Sequence, residues 1–209
     1  MSADESDLMN MDKKDLVEII KSLRSDLQKK HEDYMKVTNL RLYHLERCQN
    51  MSLQYNRRES FEISVIPSNI AQERLEDEVI EIVKEAKVSV NRQPLKKTDI
   101  VACHRLGGKG TVICRVLNRK FARQAIINSK NLKGSKRYDG NIFINSSFCP
   151  EFRYLNFVCR KAVRNKELFR YKVKNGVNMV QILEGDDFVE IGHILDIQNL
   201  GGITIPPRN

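Results

Sequence analysis

The chain has 209 residues, of which 41% are apolar and 30% charged, with a net charge of +9 and no tryptophan. That length fits one or two small domains with cores of their own, and the lack of any run of about 18 apolar residues excludes a helical membrane span. Five widely spaced cysteines (Cys48, Cys103, Cys114, Cys149, Cys159), with no Cys-x-x-Cys and no His pair at ligand spacing, exclude a disulfide scaffold and a structural zinc site. Cys114, in a strand pattern, and Cys159, on the apolar side of a helix, read as small core residues. The acidic opening Met1-Ser-Ala-Asp-Glu-Ser-Asp is not a secretory signal, so the expected location is a reducing one, cytoplasm or nucleus.

The charge is concentrated. Between Lys96 and Lys174 there are 20 Lys and Arg against 4 Asp and Glu, whereas residues 1–50 hold 9 basic and 10 acidic residues and residues 175–209 hold 1 and 5. A field of that sign and density is the footprint of a polyanion partner, nucleic acid first among them. The blander account is a solvated basic surface without a partner.

Residues 1–14 read as disordered. From 15 to 55 there is neither Pro nor Gly, and Leu16, Ile20, Leu23, Leu27, Tyr34 and Val37 follow a 3–4 spacing, a heptad seam of about three repeats. Beyond Val37 the seam turns polar. So narrow a stripe is marginal on a lone helix, which implies a coiled coil between copies, dimer or trimer, or a helix folded back on the next domain.

Residues 56–146 read as a β-α-β-β-α-β unit. Phe61, Ile63 and Val65 alternate with Glu62 and Ser64 as a half-buried strand ended by Pro67. Leu75, Val79, Ile82, Val83 and Ala86 mark a helix. After a loop with Pro94, a second strand runs from Asp99 to His104, and Gly107-Gly-Lys-Gly110 turns into a third, Thr111 to Leu117. Asn118 caps a second helix from Arg119 to about Ser129, and Ile142 to Asn145 is the fourth strand. This order is the ferredoxin-like (RRM-like) arrangement, a four-stranded antiparallel sheet with both helices on one face and the other face open.

Residues 147–200 read as a small helix-plus-hairpin domain. Pro150 opens a helix to about Glu167 with Phe152, Leu155, Val158, Cys159 and Ala162 on one face, while Arg153, Arg160 and Arg164 lie within about 40° of each other opposite. Phe169 to Lys174 alternates as a strand, Asn175-Gly176 is a hairpin turn, and Val177 to Leu183 returns, with a further strand at Phe188 to Ile191. The Gly/Pro-rich residues 201–209 read as a loose tail. The whole is therefore α+β.

Little here supports catalysis. Gly107-Gly108-Lys109-Gly110-Thr111 lacks the spacing of a phosphate loop and precedes a strand, leaving one Lys able to touch a phosphate. No nucleophile–base pair stands out, and Glu76-Asp77-Glu78 with Glu81 and Glu85 read as a solvated helix face rather than a two-metal site. The expectation is no catalytic residue, no metal and no cofactor.

The candidate nucleic-acid contacts are Arg57 and Arg58 before the first strand, His104 and Arg105 at the end of the second, Lys109 in the turn, Arg115 on the open side of the third, and Arg119, Lys120 and Arg123 on the second helix. Arg153, Arg160 and Arg164, with Arg170 and Lys172 on the strand edge that also carries Lys174, complete the set. Such contacts give tight, salt-sensitive, weakly sequence-selective binding. The open-face positions of the two central strands, Glu62, Ser64, Ile113 and Arg115, offer no aromatic platform for stacking bases. Tyr55, Tyr154, Phe157 and Tyr171 are stackers or packing residues.

Gln54-Tyr-Asn-Arg-Arg-Glu-Ser-Phe-Glu-Ile-Ser-Val-Ile-Pro67 after a heptad helix, then Ala102-Cys-His-Arg-Leu-Gly107 and Asn118-Arg-Lys-Phe-Ala122, resembles the first-open-reading-frame proteins of LINE-type retrotransposons and the baculovirus few-polyhedra protein family. The resemblance runs from about Leu16 to Gly201. It implies a coiled-coil oligomer, an atypical RNA-recognition domain and a basic C-terminal domain that together bind single-stranded RNA or DNA as a chaperone in a ribonucleoprotein particle. It also implies RNA contacts at Arg57, Arg58, Arg105, Arg115 and Arg153. The alternative is a coiled-coil adaptor whose basic surface meets an acidic protein.

Overall fold

In the computed structural model the described residues are 12–107, 110–137 and 142–208. The chain is α+β, with a long N-terminal helix and antiparallel sheets, and it divides into two compact units, Met1–Glu46 and Arg47–Asn209.

The first unit holds most of helix α1 (Lys13–Tyr55). Its heptad positions Ile20, Leu23, Leu27, Tyr34 and Val37 are all at least half exposed, and Leu16 is half-buried. An apolar stripe in water gives the helix no tertiary support.

The second unit opens with the last residues of α1. Gln54 is the buried residue of that helix, and both ends of its amide are bonded: Nε2 donates to the Ser147 carbonyl at 3.0 Å while Oε1 accepts from the Cys149 N–H at 3.0 Å. Arg47 adds an ion pair to Asp196 at 3.2 Å.

Strand β1 (Ser60–Ser64) follows, then α2 (Leu75–Glu85), the two-residue strands β2 (Ser89–Val90) and β3 (Gln93–Pro94), β4 (Ile100–Leu106), β5 (Thr111–Val116), α3 (Arg119–Asn128) and β6 (Phe143–Ser146). The main sheet has the order β4-β5-β1-β6, antiparallel throughout. Phe61, Ile63, Val112, Cys114 and Ile144 pack against Leu75, Val79 and Ile82 of α2 and Phe121, Ala122 and Ala125 of α3 in one core.

Two expectations need correction here. The alternation that placed Val65 in the first strand stops one residue early, because Val65 sits at φ 71°, a conformation costly for a β-branched residue. The bend is fixed by what surrounds it. The Ile66 N–H donates to the Gly110 carbonyl at 2.8 Å, and a Cβ at Gly110 (φ 64°) would stand 2.9 Å from the Ile66 carbonyl oxygen, so only glycine fits. Nor is the second face of the sheet fully open: Ser60 and Glu62 are buried on it. Glu62 accepts from Ser147 Oγ at 3.2 Å and from Arg153 at 2.7 Å, so the segment entering the next helix lies over the central strand.

A second core is built from α4 (Pro150–Arg164), β7 (Arg170–Lys174), β8 (Val177–Gln181), β9 (Val189–Ile191) and α5 (Ile194–Asn199), with sheet order β7-β8-β9. Phe152, Leu155, Val158, Cys159 and Ala162 meet Val177, Val180, Ile191 and Ile197. The tail is not loose. Pro206 is buried and its carbonyl accepts from the Tyr154 hydroxyl at 2.7 Å, the Thr204 N–H donates to Glu167 at 3.2 Å, and Arg208 pairs with Glu151. Glu151 and Tyr154 on α4, with Glu167 just beyond it, give the tail a row of partners that composition alone does not reveal.

Candidate nucleic-acid interface

Within the second unit, a cleft of about 400 Å³ opens between the end of α1, the start of α3, the 146–147 segment and the β7–β8 turn. Six cationic side chains line it: Arg57, Arg58, Arg119, Lys120, Arg123 and Lys174. No Asp or Glu among the described residues lines it. Like charges gathered without counter-charges raise the local potential and favour an anion.

Each wall has a local reason. Asn118 accepts from the Lys120 N–H at 2.9 Å and caps α3, and the helical spacing then brings Arg119 and Arg123 to one side. Asn175 and Gly176, both at positive φ (54° and 78°), make the tight β7–β8 turn that carries Lys174 to the cleft. A Cβ at Gly176 would approach Gln54 Nε2 to 3.1 Å, the amide that joins α1 to the 147–149 segment. Arg57 donates to Ser147 Oγ at 3.3 Å. Arg58 lies over the Tyr55 ring at 4.6 Å, and its Nε–H, shielded from solvent, finds no acceptor among the described residues.

The other candidates from the sequence go elsewhere. Arg105 is a structural clamp: its guanidinium donates to the carbonyls of Ile66 (3.1 Å), Pro67 (2.6 Å) and Ile70 (2.9 Å), holding the bend at Val65. It faces inward because it pairs opposite the buried Val112. Arg115 pairs with Glu59 at 3.3 Å, and Arg153 with Glu62. Lys172 stands 3.3 Å over the Phe188 ring. His104, Arg160, Arg164 and Arg170 are exposed and do not line the cleft. Lys109 lies outside the described residues. The sequence reading left Gln54, Ser147, Asn175 and Gly176 out of the site and kept Lys174 only as part of a strand edge. Asn175-Gly176 was visible as a turn, but nothing local showed what the turn faces.

Among the possible stackers, Tyr171 is packing: its hydroxyl donates to Asn178 at 2.8 Å, and burial pushes its pKa above the usual tyrosine range. Phe157 and Tyr55 are about half exposed. Phe143, on edge strand β6 opposite Ser64, exposes an aromatic ring on the outer sheet face that the central strands lack.

Four of the five cysteines are buried and none is bonded to another. Burial pushes the Cys159 thiol up to about 12. Cys103 and Cys114 pair across β4 and β5, and the hydrogen bond between them keeps Cys114 protonated. Among the described residues no group of His, Cys, Asp or Glu is placed to hold a metal, and no helix is long and apolar enough to cross a membrane. Comparison with protein-family models and with curated proteins finds no match for the chain.

Proposed function

We propose that the chain is a non-enzymatic, single-stranded nucleic-acid-binding protein that grips phosphates in the basic cleft and works as an oligomer. The observation that carries this is the cleft itself, six cations converging with no acidic lining residue. Its size suits the backbone of a single strand, and a rigid duplex is far wider. We read the β1-α2-β4-β5-α3-β6 unit as ferredoxin-like (RRM-like) without an aromatic platform on its central strands, so the binding is weakly sequence-selective.

The exposed stripe of α1 is the second support. Ile20, Leu23 and Leu27 find cover in a coiled coil between copies, and joining several clefts multiplies their hold on one strand. Together with the resemblance to retroelement first-frame proteins, this supports a chaperone role in a ribonucleoprotein particle of the cytoplasm or nucleus.

The test is a salt titration of fluorescent single-stranded RNA binding by the full chain. The expected slope of log affinity against log salt is roughly −0.7 for each phosphate contacted, so about −4 if all six cations engage. A flat response between low and moderate salt sinks the phosphate mechanism. Absence of binding at low salt turns the reading to the adaptor with an acidic protein partner. Leu23→Asp with Leu27→Asp is expected to yield a monomer by sedimentation, with weaker strand binding. An unchanged mass in that variant would remove the coiled coil.

A further inference from the structure

A second depression, an open groove of about 750 Å³, shares a wall with the cleft. Leu53, Pro150, Tyr154 and Phe157 line it, with Arg153 and Arg208 also in its lining. The shared wall is short. Leu53 of the groove precedes Gln54 of the cleft, and the Gln54 amide bonds both Ser147 of the cleft and Cys149 of the groove. Glu62 likewise bonds Ser147 on the cleft side and Arg153 on the groove side.

The groove is unlike the cleft in chemistry. Phe157 and Leu53 expose 47% and 48% of their surfaces in a chain that is otherwise rich in charge. The Tyr154 ring already has Arg208 stacked on it at 4.8 Å, and Glu151, the carboxylate in the groove lining, is paired with Arg208. What remains is a free aromatic face and an aliphatic side chain beside guanidinium groups. Every nucleobase has a π-face that stacks on an aromatic ring and on arginine, whatever its sequence.

Resting on the reading of the cleft as a phosphate grip, we propose that the groove receives the unpaired bases of the strand whose phosphates lie in the cleft. Phosphates and bases then part to either side of the Gln54–Ser147 wall. Arg153 is held by Glu62 and Arg208 by Glu151, so the groove carries little free charge and suits the uncharged faces of bases better than a charged peptide.

The experiment compares full-chain binding to oligothymidylate and to an abasic deoxyribose-phosphate strand of equal length at one salt concentration. The chain is expected to hold the base-bearing strand about tenfold tighter, with the same salt slope for both. Phe157→Ala should remove most of that advantage and leave abasic binding unchanged. Phe157→Trp, with a larger ring, should increase it, which keeps the test available if the alanine variant folds poorly. Arg119→Ala with Arg123→Ala should weaken both strands alike. Equal affinity for the two strands in the parent chain, or a Phe157→Ala variant that keeps the full base advantage, overturns the proposal and leaves the cleft intact. If neither strand binds, the cleft reading falls and the groove proposal with it. A fall in oligomer mass on Phe157→Ala marks the groove as an interface between copies and overturns its role as a base site.

Discussion

The basic cleft and the acidic helix α2 handle charge in opposite ways. On α2, Glu78, Glu81 and Glu85 surround one guanidinium, that of Arg137, at 2.8, 3.7 and 3.0 Å, and Glu76 and Asp77 share Lys97. In the cleft, six cations stand together with no carboxylate in the lining. Both Arg137 and the cleft's α3 cations come from the same basic stretch of sequence. Charge density along the chain therefore locates a region, and only folding decides which cations are spent on the protein and which are left for a partner.

The largest effect should come from emptying the cleft. Arg119→Ala, Arg123→Ala and Lys174→Ala together are expected to weaken single-strand binding about 100-fold at low salt and to flatten the salt slope by roughly 2, about 0.7 per lost contact. Arg137→Ala, from the same stretch, should leave binding within about twofold. Equal losses from the two variants, measured by fluorescence anisotropy, would erase the distinction between spent and free cations.

Arg105 sharpens the comparison from the other side. Arg105→Ala removes donors from three backbone carbonyls and releases a bend that already carries the strain of Val65 at φ 71°. The expected cost is about 2 kcal/mol in urea unfolding, with the salt slope of binding unchanged. Arg105→Lys should not restore stability, because one ammonium cannot reach three acceptors with the fixed fork of a guanidinium. A lost salt slope without lost stability would return Arg105 to the nucleic-acid contacts.

That case also shows how much was legible in the sequence. The strands and helices of the main sheet follow from apolar alternation at Phe61 and Ile63 and from helical spacing at Leu75, Val79, Ile82 and Val83, since burial on one face leaves a period in the residues. Arg57, Arg58, Arg119, Lys120 and Arg123 were readable as a basic set, and Asn118 as the cap that orients three of them. Arg105 was read as a nucleic-acid contact, whereas strand parity with the buried Cys103 turns it inward to three backbone carbonyls. The short β2–β3 hairpin, α5 and the docked tail left no period long enough to read. The wall made by Gln54 and Ser147 depends on contacts across more than ninety residues, which no local pattern encodes.

A smaller stability effect is expected from the Arg137 cluster itself. Arg137 is about a third exposed, so water and salt screen its three partners. Arg137→Ala should cost no more than about 1 kcal/mol at low ionic strength, and the difference should shrink in high salt. A larger, salt-independent loss would mean that the side chain packs rather than pairs.

The smallest effect is local and depends on pH. Hydrogen bonds from Thr204, then from Asn165, and the nearby charge of Lys161 hold the exposed Glu167 carboxyl below its ordinary value of 4.5. The folded chain therefore favours the ionised form. The contribution is complete above about pH 4.5 and is lost as pH falls through the lower folded value. Acidification should loosen the tail at the Thr204 amide, which donates to Glu167, while the buried amides of β8 stay protected. Amide exchange at Thr204 should speed up on acidification relative to an unstructured reference peptide at the same pH. In Glu167→Gln it should already be faster than in the parent chain near neutrality, without the acid step. Equal protection of Thr204 above and below this window would mean that Pro206 and Tyr154 anchor the tail by themselves.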